Sequence, residues 1–145
     1  MCFVLTASLV FILDRISKIY ISVLLHPQKS FPVIRNVFHL TLVENKGAAF
    51  GFLPGYLPLF MAVSFVTIII ILFLHFQKKI KARSGVLSLG LILGGTLGNL
   101  YDRLFHGAVI DFLDFRFWPV FNIADSAITI GVIILAWICL RQKPH

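Results

Sequence analysis

Acid is scarce in this chain. Of 145 residues only six are Asp or Glu, against 13 Lys or Arg. Charge of either sign is thin at 13% of residues, about half of the roughly 25% found in soluble domains. That shortage excludes an ordinary soluble surface. Cysteine is nearly absent, and Cys2 and Cys139 stand at opposite ends in apolar surroundings, so no disulfide framework is expected. The five histidines, His26, His39, His75, His106 and His145, are scattered. No pair has metal-ligand spacing, and no metal or other cofactor is expected. A Gly-rich phosphate loop followed by Lys and Ser or Thr is also missing, as are internal repeats and low-complexity tracts.

Apolar residues take the place of charge, at 59% of the chain, with a mean hydropathy of +0.94. The composition is that of an integral membrane protein, and the length suits one small helical domain over residues 1–145. The net charge of +7 does not indicate nucleic acid, because the basic residues flank apolar segments. They read as topology signals.

Four spans are expected, at about 2–25, 56–76, 85–101 and 123–140. The first is interrupted by Asp14, Arg15 and Lys18. It lacks the basic start and small-residue cleavage site of a signal peptide. Lys78, Lys79, Lys81 and Arg83 crowd the connection after the second span, which places that connection in the cytoplasm. Arg141 and Lys143 after the fourth span agree. Both termini then lie inside, and the segments 26–55 and 102–121 face outward. In the first outer segment Phe38, Leu40 and Leu42 alternate with His39, Thr41 and Val43, which is strand periodicity. Asn45-Lys46-Gly47 has turn chemistry, and Ala48 to Leu53 is expected to return as a strand. A small extracytoplasmic β-sheet over about 30–54, between the first two spans, follows. Gly94 and Gly98 in the third span have the spacing that lets helix backbones approach closely.

The few polar groups fall into clusters. Carboxylates near lipid depth cost roughly 2.5–3.5 kcal/mol at a helix centre, so each needs a reason. Asp111, in Val109-Ile110-Asp111-Phe112-Leu113, has apolar neighbours on both sides, and desolvation should raise its pKa. Asp125 opens the fourth span after Asn122-Ile123-Ala124, where a helix N-terminus welcomes a carboxylate. Asn99 and Asp102 share a helix face, with Arg103 as the expected neighbouring cation. Asp14 and Lys18, at i,i+4, are expected to pair. Lys18 with Ser22 also has dyad spacing, but Asp14 has the nearer claim on the lysine. Asp114, with Arg116 two residues on, is expected to form a surface ion pair.

Taken in order, Asp14-Arg15-Ile16-Ser17-Lys18, Asn45-Lys46-Gly47-Ala48-Ala49-Phe50, Gly94-Gly95-Thr96-Leu97-Gly98-Asn99-Leu100-Tyr101-Asp102-Arg103, Val109-Ile110-Asp111-Phe112 and Phe121-Asn122-Ile123-Ala124-Asp125-Ser126 resemble the bacterial lipoprotein signal peptidases (signal peptidase II). The resemblance runs from Asp14 into the fourth span. It implies a four-transmembrane-helix bundle in the bacterial inner membrane, with an outward β cradle. It also implies an aspartyl protease without cofactor, with Asp111 and Asp125 as its catalytic pair. Asp14, Lys18, Asn45, Gly47, Asn99, Asp102, Arg103, Asn122 and Ala124 then fall at positions that support the site or bind substrate. The implied substrates are prolipoproteins cleaved just before a diacylglyceryl-modified cysteine, and the implied surroundings are membrane lipids. Nothing in the residues demands more than a monomer.

Two other readings use the same acids. A metal-dependent lipid phosphotransferase would gather them around Mg²⁺. A small transporter would string Asp14, Asp111 and Asp125 along a cation path.

Overall fold

The computed structural model describes residues 1–25, 29–47, 55–80 and 82–141. The proposed return strand at Ala48 to Leu53 lies outside the described residues.

Four long helices make up most of the chain: α1 (Cys2–Leu24), α2 (Leu57–Phe76), α3 (Arg83–Phe105) and α4 (Ile123–Arg141). Three of them, α2, α3 and α4, are long and apolar enough to cross a membrane. On α1 the buried residues are Phe3, Ala7, Val10, Asp14, Lys18 and Ile21, one stripe at helical spacing. Its charged residues therefore lie on the packed side, while Leu5, Leu9, Ile12, Ile16 and Ile19 face outward.

Helix α3 is the hub and packs on each of the other three. Its glycines make this possible. A Cβ on Gly94 would come 2.5 Å from the Ala7 carbonyl oxygen of α1, and one on Gly95 would come 2.5 Å from the Ala124 carbonyl oxygen of α4. Bare backbone at both positions lets two helices close on α3 from different sides. The apolar core between them holds Phe3, Ala7, Ile71, Leu89, Ile92 and Leu93.

Strands β1 (Ser30–Ile34), β2 (Phe38–Asn45) and β3 (Val109–Asp114) form an antiparallel sheet in that order. The sheet is therefore not confined to the segment between α1 and α2, because its third strand comes from between α3 and α4. Asn36, at φ 63°, turns the chain from β1 into β2, a conformation that Asn tolerates better than most residues. Gly107, at φ 69°, follows the end of α3 and releases the chain into β3. Asp111 faces Val43, and Val109 faces Asn45. After β3 the chain makes a short excursion and returns, with Phe121 bridged to Leu113. That return sets Asn122, at the start of α4, beside Asp111.

Candidate active site

Two aspartates from different elements share one cleft. Asp111 sits on β3 and is 2% exposed. Its Oδ2 accepts a hydrogen bond from Asn45 Nδ2 at 2.9 Å, and its Oδ1 accepts one from Asn122 Nδ2 at 2.7 Å. Asp125 is in the first turn of α4. There it forms a reciprocal cap with Asn122: the Asp125 N–H donates to Asn122 Oδ1 at 2.9 Å, and the Asn122 N–H donates to Asp125 Oδ2 at 3.3 Å. Asn99 Nδ2 donates to the other oxygen, Asp125 Oδ1, at 2.7 Å. Asn122, wholly buried, thus touches both acids.

Asp111 and Asp125 line a cleft of about 300 Å³ together with Asn45, Gly47, Asn99, Arg103 and the Trp118-Pro119-Val120-Phe121 segment. A larger apolar groove of about 470 Å³, lined by Phe115, Phe117, Trp118, Phe121, Thr129 and Ile130, meets it at Asp125. Burial raises the Asp111 carboxyl to a pKa of about 7, helped by the nearby Asp125 charge and opposed by the Asn45 and Asn122 donors and the charge on Lys18.

Beneath the two acids lies a second charged cluster. Lys18 Nζ is 2.9 Å from Asp14 Oδ2 and 2.8 Å from Asp102 Oδ2, and Arg15 Nη2 is 2.6 Å from Asp102 Oδ1. The Arg15 guanidinium also lies over the Tyr101 ring, 4.7 Å from its centroid. Each acid of this cluster ties down an element that carries one of the upper pair. Asp14 Oδ1 accepts the Ala124 N–H at 3.1 Å, in the first turn of α4. Asp102 Oδ2 accepts the Ile110 N–H at 3.2 Å, on β3. Gly98 provides room for this, since a Cβ there would lie 2.5 Å from Asp14 Oδ2.

The family model for signal peptidase (SPase) II matches residues 6–141. The chain belongs to the signal peptidase II family. Relatives named lipoprotein signal peptidase agree. The one from Moorella thermoacetica is 50% identical over 137 residues, covering 94% of this chain and 91% of its own. The one from Halothermothrix orenii is 46% identical over 135 residues, covering 93% and 92%. A solved bacterial membrane enzyme, determined by the in meso method at 2.3 Å, has TM-score 0.90 at 30% identity, covering 99% of this chain and 93% of that one. A second, at 1.9 Å, has TM-score 0.86 at 33% identity, covering 98% and 94%. Function follows from signal peptidase II membership: signal-peptide cleavage in lipoprotein processing, by an aspartic-type membrane protease.

Against this signal peptidase II frame the structure sorts the sequence expectations. It brings Asn45, Gly47, Asn99, Arg103, Asp111 and Asp125 to one cleft and puts Asn122 between the acids. Asp14, Lys18, Asp102 and the Ala124 N–H lie in the layer below. The Asp14–Lys18 pair forms as its spacing predicts. One expectation is refined and one is corrected. Arg103 is a neighbouring cation whose charge interacts with Asp102, but the ion pairs of Asp102 are with Lys18 and Arg15, because α1 packs on the face of α3 that carries Asp102. Arg103 instead turns to the cleft, with its guanidinium 5.5 Å from the Phe60 ring centroid. Asp114 does pair with Arg116, at 3.0 Å, but its side chain is only 7% exposed. The pairing of β3 with β2 buries it and brings in the Thr41 hydroxyl, which donates at 2.8 Å. Burial pushes the Asp114 carboxyl up, but Thr41 and the Arg116 N–H and guanidinium together hold it below the usual range.

Sequence reasoning expected an apolar groove between helices for the lipid chains but named none of its aromatic residues, and it did not assign Arg15 to the site. The signal for the groove was present: Phe115, Phe117, Trp118 and Phe121 crowd the seven residues that lead into Asn122. For Arg15 the signal was a charge inside an apolar span, although its partner Asp102 lies far along the chain.

Proposed function

We propose that Asp111 and Asp125 are the catalytic pair with which this chain cleaves prolipoproteins just before a cysteine bearing a diacylglyceryl group. One observation carries the proposal: two carboxylates, from β3 and α4, line a common cleft and are held by amides, with no cation within ion-pair distance of either among the described residues. Two such acids cannot both ionise cheaply, so one proton is shared and the pair titrates as a unit. Burial raises the Asp111 carboxyl to a pKa of about 7, so Asp111 is assigned the shared proton in the reactive state. Asp125, as carboxylate, takes a proton from water, and the water attacks the scissile carbonyl. Asp111 donates to the carbonyl oxygen. Collapse of the tetrahedral adduct then delivers a proton to the leaving amine, and the pair returns to its starting state. This chemistry needs no metal.

Lipid anchorage explains the surroundings. The acyl chains of the substrate fit the aromatic groove that meets the cleft at Asp125. Asn45, Gly47, Asn99 and Arg103 line the cleft where an extended peptide backbone would run, and Asn122 steadies the acids. All four helices cross the bacterial inner membrane as a monomer among membrane lipids. Helix α1 does so despite its charges. At about 1.5 Å per residue its 23 residues span the hydrocarbon, and Asp14 and Lys18 are turned into the protein. The basic connection between α2 and α3 lies in the cytoplasm with both termini, so the sheet and cleft stand on the outer face, where water reaches the acids.

The test uses purified full-length protein and a lipidated reporter precursor read by gel mobility. Asp111→Asn and Asp125→Asn each stop processing while the protein stays folded, and EDTA leaves the parent enzyme unaffected. Normal maturation by either variant rejects the pair. Loss of activity in EDTA would favour a metal-dependent enzyme instead.

A further inference from the structure

We infer that Lys18 is a positioning residue for the aspartate pair: its ammonium group dictates which way the Asn99 amide faces, and thereby fixes the donor that meets Asp125. The inference rests on the catalytic reading of Asp111 and Asp125 and adds a cause for their geometry.

The argument is one of donors and acceptors. A lysine ammonium has three protons and accepts nothing. Lys18 is 1% exposed, and its three neighbours are all oxygens: Asp14 Oδ2 at 2.9 Å, Asp102 Oδ2 at 2.8 Å and Asn99 Oδ1 at 3.1 Å. An amide has one oxygen and one NH₂ end, so facing its oxygen to Lys18 sends its NH₂ to the other side. There it donates to Asp125 Oδ1 at 2.7 Å. The flipped amide would set NH₂ against ammonium and carbonyl oxygen against carboxylate, two repulsive contacts in a buried place.

A second group also bears on Asn99, but more weakly. Asn122 Nδ2 reaches Asn99 Oδ1 at 3.1 Å, the Ile110 carbonyl at 3.3 Å and Asp111 Oδ1 at 2.7 Å. Its two protons thus serve three acceptors, and the Asp111 contact is the shortest. Lys18 makes a stricter demand because it is charged and cannot accept.

Burying a lysine is costly, and an apolar side chain of similar volume is often as stable or more so. The orientation of Asn99 gives the charge a purpose beyond stability. The charged groups around the pair are Asp14, Arg15 and Lys18 on α1, Asp102 and Arg103 on α3, and Asp111 and Asp125 themselves. Among the cations of the described residues, only Lys18 is joined to the Asp125 carboxylate through a side-chain amide.

The experiment measures kcat and KM against pH for the purified enzyme on the lipidated precursor. The variants are Lys18→Met, Lys18→Met with Asp102→Asn, Asp102→Asn alone and Asn99→Asp. The double variant removes one cation and one anion, so the buried cluster stays balanced if Lys18→Met alone does not fold. Asn99→Asp keeps an acceptor for Lys18, removes the donor to Asp125 and sets a second carboxylate against it. Loss of one directed donor is expected to lower kcat about 10²-fold, with KM little changed. Loss of that donor moves the acid limb of the pH profile upward, because a carboxylate without it is harder to keep charged. The double variant is read against Asp102→Asn alone, and the same shift must appear in Asn99→Asp.

A merely structural lysine would lower the active fraction equally at every pH and leave the limb in place; that result overturns the inference. So does a kcat within about threefold of the parent in Asn99→Asp, since that variant lacks the donor which a single amide hydrogen bond of this kind supplies. If neither Lys18 variant folds, Lys18 is a structural residue and the inference falls. Asp111→Asn and Asp125→Asn run alongside. Activity in those two would refute the catalytic reading itself, whereas their inactivity with unaltered Lys18 and Asn99 profiles would refute the positioning role alone.

Discussion

Four buried or half-buried aspartates occupy two neighbouring layers, and the layers treat them differently. In the lower layer Asp14 and Asp102 meet Lys18 and Arg15, two acids against two bases. In the upper layer Asp111 and Asp125 meet the amides of Asn45, Asn99 and Asn122. Cations cancel charge and lock geometry, so a cation-matched acid makes a good fastener. Amides hold geometry without cancelling charge, which leaves a shared proton as the inexpensive remedy. On the proposed reading, the contrast separates an anchoring layer from a reacting one although the side chains are identical.

That contrast can be broken at several depths. The largest effect is expected in the upper layer, where Asp111→Asn or Asp125→Asn lowers processing about 10³-fold or more with little loss of fold, read by gel mobility of the reporter. In the lower layer the order reverses. Asp102→Ala leaves Lys18 and Arg15 short of a partner and should cost about 3–5 kcal/mol of stability, measured by thermal or denaturant unfolding in detergent.

Proton linkage gives a subtler test. The Asp111 carboxyl is near 7 in the folded protein and near its ordinary 3.8 when unfolded. Between those values the folded state holds a proton that the unfolded state has released. The stability Asp111 contributes is therefore complete below about pH 4 and is lost as pH rises toward 7, by up to about 1.4 kcal/mol per pH unit. Unfolding temperature should fall from pH 5 to pH 7, and the slope should shrink in Asp111→Asn. Asp114, whose pKa is lowered, has the opposite linkage: its contribution is lost only as pH falls through its depressed value, below this window. The smallest effect is at Asp114 itself. Asp114→Asn should cost about 1 kcal/mol through its contacts with Thr41 and Arg116 and leave kcat within about threefold, since Asp114 does not line the cleft.

Much of this was legible in one dimension. Local rules sufficed where partners are close in sequence. The i,i+4 spacing of Asp14 and Lys18 predicted their pair, alternation around Phe38 to Val43 predicted a strand, and the apolar flanks of Asp111 predicted a desolvated acid. Local rules failed where partners are distant. Asp102 was given Arg103 next door as its neighbouring cation, but its ion-pair partners, Lys18 and Arg15, lie more than 80 residues back. Asp114 looked like a surface residue because nothing nearby showed that β2 would cover it with Thr41.

By itself the chain determined its membrane character, its apolar segments and the residue types available for acid–base work, because these depend on composition and short-range periodicity. Only the tertiary structure decided which acids received cations and which received amides. That choice depends on how α1 and α4 close on the bare backbone of α3, and on a sheet that joins residues over 60 positions apart. Hydrogen bonds and ion pairs act over a few ångströms in space, whatever the separation along the chain.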